Sequence, residues 1–557
     1  MEHARLFIAI ALSLLVFVVW NFFFVDKQTD QLPTQAIKPE QQASKKSEIQ
    51  EKEKVLKETA PLKEPVPLKE ITAESTKPSK TITVNLPLYT VKISEKGAVF
   101  KSFVLKNYKK AIGADSPLLD MIPPDLPGGT VKIGFVDNSL QGLDDAVFTV
   151  NMEKDSVDIK DKPKEISFSW KSPQGIVVEK KFVFSPKTYL IALEVSVKNG
   201  SDRAIKDNLT LSLLKASPDN GSRIGFEGPS ALINNKLEQI EIKKIKKQDI
   251  YPGNLKWIAV QDRYFMSAII PEKPVDASMH LSFDDRKILT NTYVQPEHTI
   301  DPDNRHVVKY NLFFGPKSMT VLKSLNYDLI KAVYFGMFDI LAKPCVWIMN
   351  FIYDHFIPNY GIAIIILTIL TKIILWPLGN KSYKSMADMK KIQPLMAEIK
   401  EKYKDDKKKM NEEMMGLYKT YRVNPLGGCL PMVVQIPVFF ALYRMLYEAI
   451  ELRHAPFFWW INDLSAPDRL FRFGFTIPFM QPPYGIPVLT IIMGATMFFQ
   501  QKMSPPAGDP TQAKMMMMMP IVFTVIFINF SSGLVLYWLV NNVISMAQQY
   551  YVTKKNI

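Results

Sequence analysis

The chain has 557 residues, too many for one compact domain, and 69 Lys and Arg against 55 Asp and Glu give a formal charge of +14. The hydrophobic fraction of 47% is ordinary but uneven, with apolar residues gathered near the N-terminus and after residue 330. Two cysteines, Cys345 and Cys429, without Cys/His ligand spacing, exclude a disulfide framework and a structural zinc site.

Residues 6–25 are almost unbroken apolar sequence behind Arg5, with no small-x-small cleavage site after them. This predicts an uncleaved signal anchor over 1–26, its N-terminus inside. Residues 27–80, rich in Lys, Glu, Gln, Pro and Thr, have no apolar period and read as a flexible tether outside the membrane. From 81 to 318 alternating runs recur, among them TITVNLPLYTVKIS, GIVVEKKFVF and YLIALEVSVKN, punctuated by Asn-Gly, Pro-Asp and Gly-Gly turns. That texture predicts a large antiparallel β-sandwich. Its histidines, His280, His298 and His306, form no metal or triad spacing.

Over 319–357 an apolar run is interrupted by charges, and Leu329, Val333, Phe335, Ile340 and Leu341 approximate one helical stripe. The expectation is an amphipathic helix at the outer membrane–water boundary. Residues 358–379 then form a second span around the apolar run GIAIIILTILTKIILWPL (361–378), with Lys372 inside it. A lysine at the centre of a membrane helix costs about 2.5–3.5 kcal/mol, so its head must find an interface or a hydrated partner.

Residues 380–424 hold about a dozen Lys and Arg, which makes this short loop cytoplasmic. Within it Ile392, Met396, Ile399 and Tyr403, then Met410, Met414, Leu417 and Tyr421, recur at helical spacing. Two amphipathic helices joined around 404–407 follow, an antiparallel hairpin whose methionines suit variable apolar partners. Beyond it come a third span (425–450), an aromatic interfacial outer loop (451–483), a fourth span (484–503) and a short inner loop (504–514). Two further spans, 515–530 and 533–552, fold back at Asn529-Phe530-Ser531-Ser532-Gly533, leaving a cytoplasmic tail at 553–557. The sum is six membrane helices, both termini inside and the β-domain outside, with the two cysteines on opposite sides.

Polar residues lie scattered through the later spans: Thr368, Thr371, Lys372, Gln435, Thr490, Thr496, Thr524, Asn541 and Asn542. Each threonine alone can bond its own helix backbone, but Gln435 and Lys372 need partners or water. Together they suggest a wet groove open to the inner side, with Lys372 roughly 10 Å from the cytoplasmic end at 1.5 Å per residue. No HExxH, GxGD or Walker A motif is present, and no serine inside the second span could form a dyad with Lys372. An enzyme is not expected, and neither is a metal or cofactor. A transporter or channel is the competing reading of such a polar path.

The order of elements, followed by NPLGGCLPMVVQIPVFFALY, ELRHAPFFWWINDLSAPD, FFQQKMSP and SSGLVLYWLVNN, resembles the YidC family of membrane protein insertases from Gram-negative bacteria. The resemblance implies an α-helical polytopic membrane protein, with a five-helix core enclosing a hydrophilic groove, plus an all-β periplasmic supersandwich. It implies an ATP-independent insertase and chaperone of the bacterial inner membrane, working alone or beside the Sec translocon, with a monomer as its basic unit. Nascent membrane proteins and membrane lipid are the implied partners, the ribosome and the signal recognition particle system further candidates, and no nucleic-acid specificity is expected. Lys372 falls where the family usually has arginine; it keeps the charge and loses the planar fork. The groove residues so implied are Lys372, Thr368, Gln435, Thr524 and Asn541, with Met432, Phe439, Tyr537 and Trp538 as apolar substrate contacts. Met396, Met410 and Met414 of the hairpin would receive the substrate helix first.

Overall fold

The computed structural model describes residues 79–113, 115–124, 126–140, 142–143, 145–216, 225–423, 430–504 and 510–556, with the backbone alone at 407, 430–434, 510–515 and 556. The anchor expected over 1–26, almost all of the tether, Cys429 and the Met432 side chain lie outside what is described. Cys345 is a free thiol.

Alternation builds the β-region. Val177–Phe184 places every second residue inward, and the same period runs through Leu190–Lys198 on the neighbouring strand. A five-stranded sheet packs against a 13-stranded one, antiparallel except where Thr81–Asn85 runs parallel to Ser156–Asp158. Rings from both sheets meet between the layers: Phe103 stacks on Tyr89 at 4.5 Å and on Phe314 at 5.0 Å, and Phe100 lies 5.3 Å from Phe182. This is the sandwich the turn-punctuated runs predict.

The alternation also turns one lysine inward. Lys180 shares its face with Val178 and Phe182 and is wholly buried, its Nζ donating to the carbonyls of Gly97 (3.1 Å), Ala98 (2.8 Å) and Val131 (2.9 Å). Ala98 and Val131 have positive φ (46° and 65°), so the ammonium ties the turn at Gly97 and Ala98 to the residue that enters the strand Lys132–Phe135, both in unfavourable backbone conformations. Burial pushes this ammonium from its ordinary 10.5 down to about 7.

The helices, in chain order, are α1 (Ile242–Ile245), α2 (Met319–Ser324), α3 (Asp339–His355), α4 (Tyr360–Lys391), α5 (Gln393–Lys402), α6 (Lys407–Thr420), α7 (Leu430–Glu448), α8 (Val488–Met503), α9 (Pro510–Phe527) and α10 (Ser532–Asn556). The stripe expected across 329–341 does not form one helix. Short 3-10 turns at Leu329–Ala332 and Gly336–Phe338 break it, and Gly336 has φ of 71°. Leu329, Val333 and Phe335 turn into the core, whereas Ile340 and Leu341, in the first turn of α3, face outward. With Trp347 and Phe351 they form an exposed apolar face opposite the buried Ala342, Val346 and Met349.

Helix α4 starts where Asn359 accepts a hydrogen bond from the Ile362 amide (3.2 Å) and runs unbroken through Pro377 to Lys391. Its last turns therefore take up residues 380–391, which the basic-loop bound had included with the hairpin, whose first periodic stripe starts at Ile392. The hairpin proper is α5 and α6, joined at 403–406, with Met396, Met410 and Met414 half-buried. Helix α4 is the one helix among the described residues long and apolar enough to cross a membrane, and Met516–Phe527 is a shorter apolar stretch.

The β-region joins the helices at the end of α7. Arg263 Nε donates to the Tyr447 carbonyl (2.7 Å), with the guanidinium 3.6 Å above the Tyr447 ring. Arg453 donates to the Lys109 carbonyl (2.7 Å), and Ser318 to the Glu451 carboxylate (3.2 Å). Burial lowers the Lys317 ammonium and raises the Glu451 carboxyl at this junction.

Candidate functional site

Helices α4 and α10 face each other along a polar seam. On α4 it comprises Thr368, Lys372, Trp376 and Asn380, each four residues apart and so on one face. On α10 it comprises Asn541, Ser545 and Gln548, a four-then-three spacing on one face. Lys372 Nζ donates to Ser545 Oγ at 2.7 Å, and Ser545 Oγ donates in turn to the Asn541 carbonyl at 2.7 Å. The Tyr383 hydroxyl, one turn beyond Asn380, also lies in hydrogen-bond contact with Ser545. Gln548 Nε2 donates to the Trp376 carbonyl (3.0 Å) and to Asn380 Oδ1 (2.9 Å), where Gly379 leaves room for its amide. A polar track thus runs from mid-helix to the end of α4 that leads into the hairpin.

The track continues to the other side through Gln435, whose Nε2 donates to Asn541 Oδ1 at 2.9 Å. Gln435 also meets the Tyr537 hydroxyl. The amide that demanded a partner has one. Asn542 reaches Thr496 on α8 (3.3 Å) from the far side of α10. Thr368 and Thr524 bond their own helices, donating to Ile364 and Pro520 carbonyls (2.7 Å each), so neither hydroxyl points a spare donor into the seam. Thr524 instead packs where α9 meets Gly494 of α8.

Lys372 is only 8% exposed, and among the described residues no ion pair includes it. Its observed partner is a neutral hydroxyl. Such an ammonium would gain a shorter, charge-assisted bond from any carboxylate that reached it. The apolar candidates divide. Phe439 and Trp538 meet edge to face at 4.6 Å, both half-buried, while Tyr537 is buried.

Sequence reasoning missed Ser545, Gln548, Asn380 and Tyr383. The serine beside Lys372 comes from α10, 173 residues away, and not from its own span. The 541/545/548 spacing was the available signal.

At the opposite end of this region, the loop between α7 and α8 gathers the helix ends. Ser532 and Gly533 amides, opening α10, donate to the Ala466 (2.7 Å) and Leu464 (2.9 Å) carbonyls. The buried Asp468 accepts from the Leu489 amide (2.7 Å) and the Thr490 hydroxyl (3.0 Å), capping α8 from 21 residues upstream.

Two family models match the chain: the 60Kd inner membrane protein family over residues 351–557 and the YidC periplasmic domain over 81–348. A protein named Membrane protein insertase YidC from Syntrophobacter fumaroxidans is 42% identical over 557 residues, covering 99% of both chains. A second of that name, from Syntrophus aciditrophicus, is 40% identical over 490 residues, covering 87% of each. A crystal structure described as an active YidC insertase with its first transmembrane domain resolved aligns over 85% of this chain and 93% of its own, at 19% identity and a TM-score of 0.37.

Proposed function

The chain belongs to the YidC family of membrane protein insertases, and on that premise we propose that it inserts nascent membrane proteins through the α4–α10 seam. The observation that carries the reading is a buried lysine whose partner is a hydroxyl rather than a carboxylate. The seam is then the closed form of a groove. A substrate's short polar tail enters from the cytoplasmic end, past Gln548 and Asn380, and its acidic residues compete with Ser545 for Lys372. Each partner displaced on the way is a neutral amide or hydroxyl, whose bonds exchange at about 0.5–1.5 kcal/mol apiece. The substrate's apolar segment leaves sideways into lipid past Phe439 and Trp538, and hydrophobic transfer drives the step without a nucleotide.

In this reading six spans cross the inner membrane: 1–26, the apolar part of α4, and α7 to α10. The β-region lies in the periplasm and the α5–α6 hairpin in the cytoplasm. Met396, Met410 and Met414 serve first contact with a substrate helix once the hairpin loosens, since in the closed form they are half-buried. The Sec translocon is the natural larger partner for longer substrates.

The test is depletion of the resident insertase in a host cell and rescue by this chain, read as insertion of a small single-span substrate with an acidic tail. Lys372→Arg is expected to rescue and Lys372→Ala to fall short. Full rescue by Lys372→Glu would end the electrostatic part of the reading.

A further inference from the structure

Residues 470–486 form a hairpin that no part of the insertion mechanism uses. Leu470–Phe473 pairs antiparallel with Tyr484–Ile486, and the intervening loop carries Phe475 and Phe479. Phe471, Phe475 and Phe479 are 67%, 64% and 80% exposed, and Phe473 stacks on Phe475 at 5.2 Å. Across LFRFGFTIPFMQPPYGI the one charged side chain is Arg472. Three bare phenyl rings on one short element form a patch that a water-facing loop does not sustain.

The position of the hairpin says what covers them. Its base is held beside the start of α8, where Asp468 caps Leu489 and Thr490, and Arg469 donates to the Pro483 carbonyl (2.9 Å). Its far part is held at the α9–α10 turn: Asn529 donates to the Phe479 carbonyl (2.7 Å) and accepts from the Gln481 amide (2.8 Å). Arg469 also donates to the Ile528 carbonyl (2.8 Å). Both ends are therefore tied to helix termini, and the hairpin lies along the plane of those termini instead of rising from it. That plane belongs to the side carrying the periplasmic domain, because the segment just after α7 meets the β-region there through Glu451 and Arg453. An element that lies in the interface plane buries Phe side chains into the headgroup–acyl boundary while its basic residues stay at the headgroups.

We propose that the 470–486 hairpin is an outer-leaflet anchor, its Phe471, Phe475 and Phe479 rings embedded in the lipid interface and Arg472 reaching headgroup phosphate. It fixes the depth of the α8–α9–α10 side of the protein, independently of any substrate.

The test uses the full chain with Cys345→Ser and Cys429→Ser, reconstituted in vesicles of phosphatidylethanolamine and phosphatidylglycerol. A nitroxide is attached at Phe479→Cys and, separately, at Phe475→Cys, with the exposed Lys243→Cys of α1 as a reference in water. The expected result is collisional access shifted toward oxygen and away from a nickel chelate at both hairpin positions, relative to the reference. Chelate access equal to the reference would overturn the proposal, and poor access to both reagents would replace lipid with a protein partner. The second position keeps the test decisive if one substitution disturbs the hairpin.

Discussion

Lys180 in the β-sandwich and Lys372 between α4 and α10 are both buried lysines, and their partners differ in kind. Lys180 is bonded by three backbone carbonyls, which cannot be exchanged without moving the chain. Lys372 is bonded by one serine hydroxyl, which can turn away with a rotation about χ1. The same side chain is a structural tie in one region and an available charge in the other. The difference lies in whether the acceptors are fixed by the backbone or carried on side chains.

Four measurements sharpen or break that contrast. The largest effect is expected from Lys180→Met, which leaves three buried carbonyls without their donor. The β-domain should lose about 2–4 kcal/mol, read by urea-dependent proteolysis of the full chain, while insertion by the folded fraction is unchanged. An unchanged midpoint would remove the tie.

The second concerns pH. The Lys180 ammonium sits near 7 in the fold and near 10.5 in the unfolded chain. Between those values the unfolded chain binds a proton that the folded one has shed, so stability rises with pH across 7–10.5 and does not respond to this group below 7. The slope should vanish in Lys180→Met, and its persistence there would assign it to other groups.

The third, Ser545→Asp, gives Lys372 a fixed acidic partner. Insertion of a substrate with an acidic tail should fall about tenfold, equivalent to about 1.4 kcal/mol, and that of a neutral-tailed substrate should hold. Equal loss for both would make Ser545 a packing residue only. The smallest effect is Lys372→Arg, expected within about twofold of the parent, because the role needs charge and not a fork. A large gain with arginine would show that bidentate pairing matters after all.

The sandwich, α4, the α5–α6 hairpin and the α9–α10 turn were legible because each follows from a local period or a local turn signal. Lys372 and Gln435 stood out because apolar surroundings make a polar residue conspicuous. Ser545 did not, since a serine in a helix is ordinary until something donates to it. The 329–341 stripe failed for a related reason: helical spacing holds only while the helix continues, and the backbone turns extended at Val333. Asp468 carries no local signal that sets it apart, and its capping of α8 depends on a contact that no local window contains.

By itself the sequence determined the division into a β-region and a helical region and placed a cation within an apolar run. Period, hydropathy and charge are properties of neighbours along the chain, so one strand of text carries them. Tertiary structure alone decided that Ser545 holds Lys372, that Arg263 grips the end of α7, and that the aromatic hairpin lies level with the helix ends. A hydrogen-bonding side chain has many chemically equal partners in a sequence of this length. Which one it meets is settled by how the helices and sheets pack.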